Sequence, residues 1–166
     1  TYPLPGDLAC PYPPMGPGMH IVEESVVSKR GTIEPLLLLH AQELATHPHI
    51  MQVAPDWERY AAMEAADVLM GLFMYEDTHL IGYSVNFVVR HMHYSGLVYC
   101  QNDVLFLHPE YREGGFGAFL IRETEARAKA RGAGFIVWHA KPNTPLDKLL
   151  PRMGYAVQDV IHSREL

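Results

Sequence analysis

Between positions 68 and 109 the apolar residues come in three bursts parted by short polar turns. "VLMGLFMYE" (68–76) breaks at Asp77 and Thr78, "HLIGYSVNFVVRHMH" (79–93) breaks at Tyr94-Ser95-Gly96, and "LVYCQNDVLFLHP" (97–109) comes third. Runs of this length, joined by turns this short, predict an antiparallel meander. Upstream, "MHIVEESVV" (19–27) reads as an earlier strand. The period then lengthens. "IEPLLLLHAQELATH" predicts a buried helix with Thr32 as N-cap and Pro35 in its first turn. "DWERYAAMEAAD" predicts a second helix, capped by Asp56, with its alanines and Met63 turned inward. Later, Gly117, Leu120, Ile121, Thr124 and Ala128 recur at helical spacing, on one face of a helix running to about Arg131. "GFIVWHAK" (134–141) scarcely alternates, as in a strand covered on both faces. Thr144-Pro145-Leu146-Asp147 begins a short helix that Pro151 and Gly154 end, and "YAVQDVIHSREL" reads as a last strand. The order is β-α-α-β-β-β-α-β-α-β, an α/β domain on a mixed sheet, with no internal repeat.

Composition narrows this picture. The 166 residues, 48% apolar and 19% charged, suit one globular domain. A net charge of −6 with scattered basic residues argues against general nucleic-acid binding, which needs a basic stripe to displace counterions. Two cysteines, Cys10 and Cys100, make no disulfide framework. No run reaches the ~18 apolar residues that cross a bilayer, and the first residues lack the basic and apolar regions of a signal peptide. The expectation is a cytoplasmic protein away from membranes. Residues 1–18, rich in Pro and Gly, form an arm ahead of a domain spanning 19–166. The arm is either poorly ordered or, through Tyr2, Leu4, Leu8 and Tyr12, packs on the domain or on a second subunit.

The chemistry concentrates where the third burst meets the periodic helix, in "DVLFLHPEYREGGFGAFLI". Strand, glycine-rich turn and helix N-terminus together bind anions, because free backbone N–H groups and the helix dipole point the same way. A P-loop is excluded, since Ala118 rather than a Lys directly follows Gly117. A dinucleotide fingerprint is half present in Gly115-Phe116-Gly117, but Leu120 stands where its third glycine belongs. A glycine turn with no ligand is the plain alternative.

Arg112-Glu113-Gly114-Gly115-Phe116-Gly117-Ala118 fits Arg/Gln-x-x-Gly-x-Gly/Ala, and so resembles the acetyl-CoA signature of the GNAT superfamily of N-acetyltransferases. "LHPEYREGGFGAFLI" is similar to that family's strand-four exit and next helix, and "NTPLDKLLPRMGY" to its late Asn-to-Gly-Phe/Tyr segment. The brief ending resembles small members encoded by bacteriophages. The resemblance implies a GNAT-like, mostly antiparallel sheet with helices on both faces, splayed between the fourth and fifth strands. It implies acetyl-CoA as cosubstrate, with its pyrophosphate on the amides of Arg112, Glu113, Gly115, Gly117 and Ala118. Gly114 supplies freedom and Phe116 completes the loop. A bulky side chain at Gly117 would then stand in the pyrophosphate's place. Pantetheine would pair with the backbone of Leu105, Phe106 and Leu107 like an added strand, an N–H there holding the tetrahedral oxyanion. Asn143 would lie beside the CoA arm; its alternative is a simple turn residue.

Two positions depart from the family. Leu150 stands where many members keep a tyrosine acid, and Gln101 where some keep a glutamate base. Asp103, two residues on and facing the same way, and His139, after the next strand, are the remaining catalytic candidates. The reaction implied is direct attack of an amine on acetyl-CoA; the alternative is a CoA-binding or interaction module of the same fold without efficient turnover. The acceptor, a small molecule or a protein amine, would enter between the first two helices and the third-to-fourth strand hairpin, near Trp57, Tyr60, His47 and His49. Family members are often dimers, and a homodimer is expected. No metal is expected: His91-x-His93 and His47-x-His49 lack further ligands at a zinc spacing.

Overall fold

The computed structural model describes residues 16–44 and 47–165. The Pro-rich arm up to residue 15, including Cys10, lies outside the described residues. Five strands form one sheet in the order β1-β2-β3-β4-β5. They are β1 (Met19–Glu23), β2 (Leu69–Glu76), β3 (His79–Arg90), β4 (Val98–Leu107) and β5 (Phe135–Val137). The first four pair antiparallel and β4–β5 pair parallel. Four helices pack on this sheet: α1 (Arg30–Leu44), α2 (Trp57–Ala65), α3 (Phe116–Ala130) and α4 (Pro145–Arg152).

The helices sort to two faces because the strands alternate. Phe73, Tyr83, Val85 and Phe106 point to one side, under Leu36, Leu37 and Leu39 of α1 and Trp57, Tyr60 and Met63 of α2. Leu72, Met74 and Ile81 point to the other and bury Leu120 of α3, while Met70, Val88 and Cys100 bury Ala128. The periodic face of α3 is as expected: Leu120, Ile121, Thr124 and Ala128 are buried. On the α3 side the sheet also buries a polar trio. Asn102 Nδ2 donates to Asn86 Oδ1 at 3.0 Å, and Asn86 Nδ2 to Ser84 Oγ at 2.9 Å.

Several expectations need correction. The first strand stops at Glu23. Residues 26–29 form a turn that buries Val26, and α1 starts at Arg30, so Thr32 lies within the helix and caps nothing. Pro35 therefore falls in the second turn. Only Ile33 of α1 is buried, and Leu38 is 53% exposed, so the helix is laid on the sheet rather than enclosed. Asp56 does cap α2, accepting from Arg59 N–H at 2.9 Å, but Ala61, Ala62 and Ala65 face outward. The fifth strand is three residues long, not eight. The expected last strand is absent: residues 155–165 carry no sheet pairing, and Val157, Val160 and Ile161 are exposed.

Two irregularities of β4 create the space beside it. Val85 pairs with Val104 while Asn86 pairs with Asn102, so Asp103 is an unmatched extra residue, a β-bulge. In addition, β5 pairs only Tyr99, Cys100 and Gln101 of β4, leaving Asn102 to Leu107 with an open edge. The sheet forks there.

Candidate active site

The fork, the glycine turn and the start of α3 form one continuous feature. His108 N–H donates back to Ile81 O at 2.7 Å, so by antiparallel alternation Leu107 and Leu105 aim their peptide groups at the open edge. A 3₁₀ turn, Pro109–Tyr111, then redirects the chain. It is anchored by the Tyr111 hydroxyl, which donates to Glu76 Oε2 at 2.6 Å. Gly114 and Gly115 both have φ of +88°, a conformation that L side chains resist, and Gly115 is the N-cap of α3.

This geometry leaves a row of unpaired donors. The first helical bond of α3 runs from Phe119 N–H to Gly115 O at 3.1 Å, and no side chain caps the helix. Among the described residues the N–H groups of Glu113, Gly114, Gly115, Phe116, Gly117 and Ala118 have no acceptor. Free amides at the N-terminus of a 15-residue helix with no acidic residue in its first turn make an anion cradle.

Two expected contributors are placed differently. The Arg112 N–H is taken by Pro109 O at 3.2 Å. Its guanidinium turns away from the cradle, with Nε donating to Leu107 O at 2.9 Å and Nη2 to Glu43 Oε2 of α1 at 2.8 Å. Arg112 thus fastens α1 to the end of β4, while Lys141 Nζ, from the segment after β5, donates to Leu44 O. Gly117 does not face the cradle through its missing side chain. A Cβ there would meet Leu149 Cδ2 at 3.7 Å and Leu107 Cδ2 at 3.8 Å, between β4 and α4.

Asn143 is held as a turn residue, in a left-handed conformation (φ +66°), its N–H donating to Asp147 Oδ2 at 2.8 Å. Thr144 caps α4 as expected, its hydroxyl accepting from Asp147 N–H. Leu150 is buried and Gln101 accepts from the Tyr99 hydroxyl at 3.2 Å, so neither position offers a group that titrates. Asp103 is exposed on the α1/α2 side, beside the fork, and accepts from the Tyr60 hydroxyl of α2 at 2.5 Å. Sequence reasoning missed that pairing, because 43 residues separate the two. Burial and then the Asp103 carboxylate raise the Tyr60 phenol, which stays protonated and a donor at any working pH. His139 is exposed just past β5, and no contact joins it to Asp103 among the described residues. His40 of α1 stacks edge-on to Phe106 at 5.7 Å, and burial lowers its pKa. His91 and His93 sit ring to ring at 6.0 Å among Tyr94 and Tyr99.

A family model described as the acetyltransferase (GNAT) family matches residues 37–155, from α1 through the fork and cradle to the end of α4. The chain belongs to this family. Among solved structures, the GNAT fold of this chain matches a ribosomal-protein-alanine N-acetyltransferase from Brucella melitensis biovar Abortus 2308 at 19% identity and a TM-score of 0.67, covering 89% of this chain and 99% of that one. It matches a GCN5-related N-acetyltransferase from Ralstonia eutropha JMP134 at 21% identity and a TM-score of 0.69, with the same coverage. It also matches an aminoglycoside acetyltransferase from an uncultured soil metagenomic sample, in complex with sisomicin, at 13% identity and a TM-score of 0.68, covering 90% and 96%. No curated protein sequence matches the chain. These likenesses give no support to a phage source. No helix among the described residues is long and apolar enough to cross a membrane.

Proposed function

We propose that the protein transfers an acetyl group from acetyl-CoA to an amine acceptor by direct attack in a ternary complex. The observation that carries this reading is the row of six amides from Glu113 to Ala118, unpaired among the described residues and set beside the open edge of β4. A pyrophosphate satisfies such a row, and an extended pantetheine arm pairs with such an edge. Leu105 N–H and C=O and Leu107 N–H are the groups offered there, since Leu107 O is already held by Arg112. Leu107 and Leu149 lie beside Gly117 at the near end of that edge. Asn143 presents an exposed side chain at the head of α4 and is assigned only a secondary contact.

Bound acetyl-CoA supplies an activated thioester. The residues of this chain hold it, exclude water along β4 and present an N–H to the carbonyl oxygen as charge develops there. The acceptor arrives as an ammonium ion and loses one proton before its lone pair attacks the carbonyl carbon. The carbon–sulfur bond then breaks, the thiolate leaves with the electron pair, and the new amide and CoA thiol form with one net proton released. Asp103 and His139 are the groups available to move that proton, directly or through water, in place of the titratable groups missing at Gln101 and Leu150.

Isothermal titration with acetyl-CoA, then thiol release across a panel of primary amines, tests the reading. Binding at the micromolar level with amine-dependent release is the expected result. Binding without release from any amine converts the protein into a CoA-binding module, and no binding overturns both readings. Sedimentation with and without residues 1–15 tests the proposed homodimer.

A further inference from the structure

The last turn of α1, Ala41-Gln42-Glu43-Leu44, carries an acid and no base. A helix C-terminus favours the reverse, because its free carbonyls and its dipole both present negative charge. The compensation comes from outside the helix, one cation from each prong of the fork. Lys141 Nζ, from the segment after β5, donates to Leu44 O. Arg112, past the end of β4, donates from Nη2 to Glu43 Oε2 at 2.8 Å. The two side chains of that pair are 33% and 31% exposed, so solvent screens it only in part. His40, one turn back, sets its ring edge-on to Phe106 of β4. Burial lowers the His40 pKa first; Glu43 opposes this and Arg112 and Lys141 add to it, so all three charges bear on one ring.

Apolar packing holds this end of α1 loosely. The one buried residue, Ile33, lies in the first turn, and Leu36, Leu37 and Leu39 are only half-buried. Helix ends with thin packing fray, so the polar tethers decide how often the last turn is in place. Arg112 meets three elements at once. It heads the turn of free amides, its Nε holds Leu107 O on the open edge of β4 at 2.9 Å, and its Nη2 holds α1. Among the described residues, two side-chain hydrogen bonds join this turn to distant elements: Tyr111 to Glu76 and Arg112 to Glu43. When the end of α1 frays, the turn keeps only the first. An anion seated on the amides requires the turn in its held shape, and so favours the tethered state. The shift equals the difference in affinity between the two states, and it acts equally in both directions.

We propose that Arg112 and Glu43 couple the amide row to α1, so that a pyrophosphate on the row steadies the end of the helix that borders the acceptor's expected entrance. This rests on the acetyl-transfer reading. Both are positioning residues: the guanidinium and the carboxylate touch each other and Leu107 O, not the reacting atoms.

The test is amide hydrogen exchange of residues 40–44, with and without saturating acetyl-CoA. In the wild type, acetyl-CoA is expected to slow exchange there by about fivefold or more, the lower end of ordinary site-to-site coupling. S-acetylpantetheine, which lacks the pyrophosphate, should slow it by less than about twofold. Glu43→Gln, saturated with acetyl-CoA, should also show less than about twofold protection, and should weaken acetyl-CoA by no more than the factor lost. Lys141→Met separates coupling from simple support of the helix. It removes a tether to the other prong, so exchange should quicken without ligand while acetyl-CoA still protects as in the wild type. The proposal is overturned if acetyl-CoA binds the wild type without protecting these amides, if Glu43→Gln is protected as the wild type is, if S-acetylpantetheine protects equally, or if Lys141→Met loses the protection as Glu43→Gln does. Failure to bind acetyl-CoA is a different result and overturns the acetyl-transfer reading itself.

Discussion

Replacing Gly115 by alanine tests the amide cradle at its most constrained point. Gly115 holds φ +88° and ψ 1° as the cap of α3. An L-residue with left-handed backbone costs about 1–2 kcal/mol. For a chain of this size that corresponds to a melting temperature lower by roughly 2–8 °C if the loop keeps its shape. If the loop relaxes instead to negative φ, the amides on either side rotate out of the row. Each charge-assisted hydrogen bond lost to a phosphate oxygen costs about 1.5–3 kcal/mol, or roughly 10- to 150-fold in affinity. Binding is measured by titration with acetyl-CoA and, in competition, with S-acetylpantetheine, which lacks the pyrophosphate. Gly115→Ala is expected to weaken acetyl-CoA by at least about tenfold and leave S-acetylpantetheine within about twofold. Gly117→Ala serves as the comparison, because its Cβ makes only ordinary contacts at 3.7 and 3.8 Å and its φ is not left-handed. It should bind both ligands as wild type does. Equal losses for both ligands with Gly115→Ala, or a larger loss with Gly117→Ala, would refute the assignment of the pyrophosphate to this loop.

The same contacts set other outcomes. Asn102→Ala strands the Asn86 and Ser84 side chains in the core and should cost about 1–3 kcal/mol, seen in urea unfolding, with the slope unchanged. His139→Ala should lower kcat/KM by ~10²-fold if this imidazole carries the proton; a wild-type pH–rate profile removes it from the mechanism. His40 has a lowered pKa in the folded protein, from burial first and then the charges of Arg112 and Lys141, opposed by Glu43. The unfolded chain therefore takes up this proton first, so stability falls as pH drops below the ordinary histidine range of about 6.5. His40→Asn should flatten the melting temperature between pH 7 and 5, and an unchanged slope would assign the pH dependence elsewhere.

The parts of the fold legible in the sequence were those whose cause is local. The apolar spacing of α3 and the caps Asp56 and Thr144 each depend on neighbours a few residues away, and all three form as expected. The glycine turn was legible because glycine at positions 114 and 115 has a backbone reason, the left-handed angles found there. The illegible parts depend on distant partners. The fifth strand ends early because β4 diverges from it after Gln101, which no property of "WHAK" reveals. The ending "YAVQDVIHSREL" has apolar residues at 157, 160 and 161, a spacing that gives a strand no consistent face. The true outlet of Arg112, toward Glu43, joins residues 69 apart.

The bulge at Asp103 divides β4 into two segments of opposite phase. Before it Val98 and Cys100 face α3; after it Leu105 and Leu107 do. Each segment is locked to its own core by buried side chains, but the inserted residue belongs to neither. Position 103 is therefore a point where side chains can be exchanged at little cost to either core, next to where an incoming amine would stand. Deleting the residue, by contrast, would erase the bulge and merge the two segments into one strand of regular alternation, with Cys100, Leu105 and Leu107 on the side they already face. Both cores therefore admit a change of identity there, and what a deletion would remove is the projecting side chain and the kink it rides on. Descendants of such a chain can change the side chain that faces the fork at one position while both cores stay fixed.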